Sequence, residues 1–474
     1  MAVTESFING GSVPSAEVYD NVDPSTSLSL GAVARGGADE VDQAVRAARA
    51  AAWSWRKTAP AQRADLLVRL ADAIDANRAA LARAESEDTG KPLSQAKSDA
   101  TVASRYFRFY AHAIDSYYGQ TIPLTEDLHV YTRREPLGVT GHIVAWNYPM
   151  QLMARAVAPA IAAGNAVVAK PADETPRTAV EFARLATQVG LPDGVFNVVT
   201  GIGAEAGAAL AAHPDVDSIG FVGSTRVGSQ IAHAAADRVI PAVLELGGKS
   251  PQIVFADADL DLAADFIAKA ILQNAGQTCS AGSRLLVESS VHDQVVEKVL
   301  ERFTRVRLGR GVEDPDLGPL ISRKQQARVI GMVSDLTKGE ILCGGTPPDD
   351  TMLGTGAFFA PTLIDGVDPQ SAIAQEEIFG PVVTVNTFTD EDEAISLANG
   401  TQYGLLAAVW TRDLSRAHRL AAELVAGQVY VNTYGAGGGV ELPFGGFRKS
   451  GYGREKGIEA LDAVTATKTV VVKL

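Results

Sequence analysis

Cysteine is almost absent from this chain: Cys279 and Cys343 are the only two in 474 residues. So few thiols exclude a disulfide-built scaffold and fit a reducing compartment. Basic charge is in short supply too. Forty-two Lys and Arg face 56 Asp and Glu, a formal net charge of −14, which argues against nucleic acid and anionic membranes as main partners. Long apolar runs are missing, because Arg, Asp and Glu break the alanine-rich stretches. Nothing approaches the ~18–20 apolar residues of a membrane span. Residues 1–7 hold neither a basic nor an apolar signal segment, so a cytoplasmic protein is expected. The seven histidines are scattered, with no HExxH pattern and none beside Cys279 in sequence. No metal site is expected from them.

What remains is enough for large cores: 46% of residues are hydrophobic and 21% charged, and the length calls for two or three domains. Residues 1–35 read as short strands and turns. Val41, Ala44, Val45 and Ala48 then repeat at helical spacing. Further helices are expected after Pro60, through 79–87, and from Pro92 to about residue 110. An alternating ribbon surrounds Val130. From 138 to 222 strands and helices alternate: strands at 143–145, 166–169, 195–199 and 218–222, helices at 178–189 and 204–212. The alternation restarts after Pro251, with strands at 252–255 and 284–288 and helices at 257–274 and 291–303. Such an order predicts parallel sheets covered by helices, with ligands at the carboxyl ends of the strands. An alternating strand at 467–474 needs a partner, since an open edge is a liability. The Val130 ribbon, or another subunit, would supply one.

Two segments carry chemistry. Asn274-Ala-Gly-Gln-Thr-Cys279-Ser-Ala-Gly-Ser sets a lone thiol among small and polar residues. Thirty-four positions upstream, Leu244-Glu245-Leu-Gly-Gly-Lys249 sets a carboxylate between leucines. Singly, the first reads as a small core residue and the second as a helix-end carboxylate. Together they suit a covalent nucleophile and a general base. They resemble the two signature motifs of the aldehyde dehydrogenase superfamily. Glu135-Pro-Leu-Gly138, Trp146-Asn147-Tyr148-Pro149, Lys170-Pro-Ala-Asp173, Gly223-Ser224-Thr225-Arg-Val-Gly228, Glu377-Ile-Phe379-Gly-Pro381 and Pro443-Phe444-Gly-Gly446 through Glu455 look familial too. The likeness runs in order along nearly the whole chain.

The resemblance implies an α/β fold like that of the family: two Rossmann-like parallel-sheet domains and a small β oligomerisation domain. Residues 1–118 and 138–246 would bind NAD, 247–448 would form the catalytic domain, and 119–137 with 455–474 the oligomerisation ribbon. It implies NAD-dependent oxidation of an aldehyde to a carboxylate through a Cys279 thiohemiacetal and acyl-thioester. Glu245 would activate the hydrolytic water. Asn147 and the Cys279 backbone N–H would hold the oxyanion, a contribution of a few kcal/mol per donor. Trp146, Lys170, Asp173, Gly223, Ser224, Glu377 and Phe379 would hold the cofactor. Asp173 stands where Glu is more usual and would disfavour a 2′-phosphate, so NADP is less expected than NAD. The pyrophosphate would sit at a helix N-terminus. Tyr148, Arg155, Thr278 and Ser280 would line the substrate pocket.

Two departures bear on the substrate. Arg155-Ala156 replaces the family's frequent Trp-Lys. An arginine there is similar to semialdehyde dehydrogenases, where it grips a substrate carboxylate. It reads equally as an arginine paired to a protein carboxylate. The loop Gly435-Ala-Gly-Gly-Gly439 has no aromatic side chain and is expected to be mobile and roomy. Alternatives are a CoA-acylating semialdehyde dehydrogenase, which Glu245 opposes, and a catalytically silent structural protein on the same fold. The expected partners are a small-molecule aldehyde and further copies of the chain, as a homodimer or homotetramer.

Overall fold

A computed structural model describes residues 3–349, 353–435 and 439–474. Ala436 to Gly438, the middle of the glycine-rich loop, lie outside the described residues. Two sheets organise the chain. The first has eight strands in the order Gly451–Tyr452, Ala242–Glu245, Ser218–Val222, Val139–Ile143, Ala166–Lys170, Phe196–Val198, Ser6–Ile8, Gly11–Val13. Its five central strands are parallel, while Gly451–Tyr452 and Ser6–Ile8 pair antiparallel at the two sides. The second has seven: Glu340–Cys343, Thr362–Asp365, Val382–Phe388, Arg284–Glu288, Pro251–Val254, Leu406–Trp410, Gln428–Val431. All its pairs are parallel except the first. Val139–Ile143, Ala166–Lys170 and Leu406–Trp410 are buried throughout, which is why Ala166–Ala169 and Leu406–Trp410 read as apolar runs without alternation.

Most expected elements form, with shifts that have local causes. The helix expected at 178–189 is Arg177–Gln188, and the strand at 284–288 is Arg284–Glu288. The strand expected at 143–145 ends at Ile143 instead. Val144 is buried beyond it, so the apolar run marks burial and not ladder pairing. The helix expected at 204–212 opens with a wide π-type turn at Gly203–Gly207 before Ala208–Ala212. The helix expected at 257–274 is shorter, Leu260–Leu272, starting where the Asp259 side chain accepts from Leu262 N–H. Asn274 and Ala275 end it by turning left-handed, at φ 49° and 53°. The C-terminal strand Thr465–Lys473 pairs antiparallel with Leu128–Pro136 of the same chain, Val471 opposite Val130.

Candidate active site

Parallel pairing brings the first functional groups together. Val222 lies opposite Glu245, and Gly223 N–H donates to the Glu245 carbonyl at 3.0 Å. Both chains therefore leave the sheet at one carboxyl edge, where open α/β sheets take their ligands. Ser224 caps the helix Thr225–Arg238, its hydroxyl accepting from Val227 N–H at 3.4 Å. Glu245 is fully buried at the strand end. Gly247 and Gly248 follow because nothing larger fits. A Cβ on Gly247 would come within 2.5 Å of the Glu377 carboxylate, and one on Gly248 within 2.5 Å of the Cys279 carbonyl.

The cysteine loop is held in an unusual backbone. Asn274, Ala275 and Gly276 are successively left-handed, a conformation that costs about 1–2 kcal/mol at each non-glycine residue. Gly276 packs on the Gly380 carbonyl where a side chain would collide. The loop is tied to the Asn147 turn by side-chain amides. Asn147 Nδ2 donates to the Gln277 carbonyl at 3.0 Å, and Asn274 Nδ2 to the Asn147 carbonyl at 2.8 Å. Asn147 is buried, and its Oδ1 accepts no hydrogen bond among the described residues. Tyrosines fix the neighbours of the thiol: the Tyr148 hydroxyl lies 2.8 Å from Thr278 Oγ1, and the Tyr434 hydroxyl donates to the Ser280 carbonyl.

A cleft of about 1210 Å³ joins these groups. Trp146, Asn147, Tyr148, Arg155, Gly223, Ser224, Glu245, Thr278, Cys279, Ser280, Glu377 and Phe379 all line it. Of the residues expected at the site, Lys170 and Asp173 are not on its wall. They form a salt bridge at the end of the strand Ala166–Lys170, and Gly203 N–H donates to Asp173 Oδ2 at 3.2 Å. Trp146 and Phe379 meet edge to face, centroids 5.2 Å apart, with Phe379 at φ 59°. Gly248 N–H donates to Glu377 at 3.1 Å, yet burial still pushes that carboxyl up to about 7. Burial also raises the Cys279 thiol well above its ordinary value, and the charge and hydrogen bonding of Glu245 raise it further.

Arg155 departs from the expectation of a guanidinium free to meet substrate. Its Nη2 lies 3.2 Å from Glu245 Oε2 and 2.6 Å from Glu455 Oε2. The side chain reaches the cleft with protein carboxylates already upon it, the pairing that its position equally allowed. The sequence placed Glu455 and Lys456 in the oligomerisation ribbon, whereas folding brings both to the cleft. Lys456 lines the same cleft. The run of charge between glycines, Gly453-Arg-Glu455-Lys456-Gly457, was the available signal.

The aldehyde dehydrogenase family model matches residues 12–470. The chain belongs to the aldehyde dehydrogenase family. Its sequence is 43% identical to the NADP/NAD-dependent aldehyde dehydrogenase PuuC of Escherichia coli (strain K12), over 99% of this chain and 95% of that one. Among solved structures, a Burkholderia cenocepacia protein superposes with a TM-score of 0.97 at 49% identity, over 99% of this chain and 100% of that one. PnpE in complex with nicotinamide adenine dinucleotide gives a TM-score of 0.97 at 38% identity, over 99% and 97%. This aldehyde dehydrogenase is thus an oxidoreductase with the α/β, parallel-sheet architecture of its family. Among the described residues no helix is long and apolar enough to cross a membrane.

Proposed function

We propose that this aldehyde dehydrogenase oxidises its substrate on Cys279 and releases it as a carboxylate by hydrolysis assisted by Glu245. The observation that carries this reading is the Glu245 carboxylate set against the Cys279 thiol inside one cleft. Attack on the aldehyde carbon forms a thiohemiacetal whose oxyanion takes hydrogen bonds from the Asn147 amide and the Cys279 backbone N–H. Asn147 Nδ2 carries two hydrogens and uses one on Gln277, which leaves the other for the oxyanion. The acyl-thioester left after oxidation is hydrolysed by water that Glu245 deprotonates. A thioester destined for CoA would not require this buried base, so hydrolysis is favoured over CoA acylation.

The residues present fit a nicotinamide dinucleotide. Ser224 and the free N–H groups of a 14-residue helix suit the pyrophosphate. Glu377, fixed by Gly248, suits the nicotinamide ribose, and Trp146 with Phe379 would flank the ring. Lys170 and Asp173 suit the adenosine ribose. When bound, the nicotinamide accepts the hydride. We assign a preference for NAD over NADP to Asp173, whose carboxylate would face a 2′-phosphate. Arg155 is not carried forward as the grip for a semialdehyde carboxylate, because two protein carboxylates engage it. Val471, Val472 and Leu474 leave apolar surface on the C-terminal strand. Of the ribbon expected at 119–137 and 455–474, we assign Leu128–Pro136 and its partner strand Thr465–Lys473 to a homodimer or homotetramer contact, while Glu455 and Lys456 belong to the cleft. Sedimentation of a chain lacking residues 467–474 should give monomer or insoluble protein, and an active monomer would refute the contact.

Cys279→Ala should abolish NADH formation and esterase activity alike, measured by absorbance with an aldehyde panel. Sustained turnover by that variant would end the covalent reading.

A further inference from the structure

Two cations lie over one aromatic ring in the cleft. Arg155 Cζ is 5.3 Å and Lys456 Nζ 4.8 Å from the Phe444 centroid. They are not equivalent. Arg155 is engaged by Glu245 and Glu455, whereas the Lys456 ammonium makes no hydrogen bond or ion pair with any described residue. Burial biases the Glu455 carboxyl toward its neutral form, which leaves the Lys456 charge still less answered.

The backbone aims Lys456 at this place. Its φ is 60°, a conformation that glycine adopts freely and lysine does not. The neighbours enforce it: Phe444 and Glu455 exchange both backbone hydrogen bonds at 2.7 Å, and Gly457 N–H donates to the Val440 carbonyl at 2.9 Å. Strain held in this way at a cleft wall points to function. A half-buried ammonium with three donors and no acceptor is costly. The missing acceptor belongs to whatever enters the cleft.

We propose that Lys456 is the anion receptor on the acyl side of the cleft, and that it selects aldehydes whose far end carries a carboxylate. The proposal rests on the aldehyde-oxidising reading above and names its substrate class. Arg155 and Glu455 act beside it as positioning residues, holding Glu245 and the ring of Phe444. Burial and the Arg155 charge lower Lys456 to about 8, while Cys279, Glu245 and Glu455 pull the other way. The receptor is therefore charged below that pH and neutral above it.

The test compares kcat/KM for a semialdehyde acid and an uncharged aldehyde of equal length. The wild type should prefer the acid near neutral pH and lose the preference as pH rises through about 8. Titration of Cys279 affects both substrates and cancels in the ratio. Lys456→Met should cut the ratio about ten- to a hundredfold, the contribution of one charge-assisted hydrogen bond. Lys456→Arg should keep most of it, and Arg155→Leu should slow both substrates alike. A ratio that Lys456→Met leaves unchanged, or one that stays flat with pH in the wild type, would overturn the proposal. The wild-type pH series decides the matter even if the variants fail to fold. Turnover of neither substrate would instead defeat the underlying catalytic reading.

Discussion

Two buried charge clusters pack against the helix Pro149–Ala163, and they are built on opposite plans. In the first, Lys91 Nζ lies 2.8 Å from Glu85 and 2.5 Å from Asp99, with 4.2 Å to the Tyr148 ring centroid. The second oxygen of Glu85 accepts from Met150 N–H at 3.0 Å, and that of Asp99 from Gln151 Nε2 at 2.6 Å. Every carboxylate oxygen is satisfied. In the second cluster Arg155 Nε and Glu245 Oε1 have no hydrogen-bond partner among the described residues, and Lys456 has none either. A closed network fixes the turn that carries Asn147. An open one, facing the cleft, keeps donors and acceptors in reserve for water and substrate. Buried polar groups left unmatched in this way cost stability, and their concentration beside Cys279 is what a reaction site requires.

That contrast can be broken from either side. On the open side, Glu245→Gln should lower kcat about 10²–10⁴-fold, the usual contribution of a general base. It should spare a first-turnover NADH burst and change unfolding free energy by no more than about 1 kcal/mol. Stopped-flow absorbance and urea titration measure both, and a large stability loss would put Glu245 among the scaffold residues. On the closed side, Lys91→Met leaves Glu85 and Asp99 buried against each other, with a stability loss of about 3–5 kcal/mol. A lower urea midpoint with unaltered burst amplitude in the folded fraction is the expected result. The Lys170–Asp173 pair tests an intermediate case, half-open and away from the cleft wall. Asp173→Ser should narrow the NAD-over-NADP ratio of kcat/KM by about tenfold, about 1.4 kcal/mol; a wild type that prefers NADP would remove that assignment. The smallest effect is electrostatic. Glu245→Gln deletes the charge that helps raise the Cys279 thiol, so alkylation by iodoacetamide should reach its plateau at lower pH than in the wild type.

Much of the site was legible in the linear chain because its residues sit in short, unusual strings. Cys279 among small residues and Glu245 before paired glycines need no tertiary information to be singled out. The alternation of strands and helices likewise fixes where a parallel sheet must open. Backbone strain was less legible. Nothing in Asn274-Ala275 spells left-handed geometry, which the packing of Gly276 against Gly380 imposes from a distant segment. The end of the strand at Ile143 was misplaced because burial extends beyond the ladder.

By itself, then, the sequence determined the family and the order of the elements and singled out the proposed nucleophile and base, since these depend on local residue type and spacing. Tertiary structure alone decided what surrounds Arg155. Glu245 is 90 positions away in the chain and Glu455 is far beyond it, yet folding sets both on one guanidinium. Ion pairs depend on distance in space and on exclusion of water, neither of which a sequence displays. The same folding that occupied Arg155 carried Lys456 into the cleft without a hydrogen-bond or ion-pair partner among the described residues.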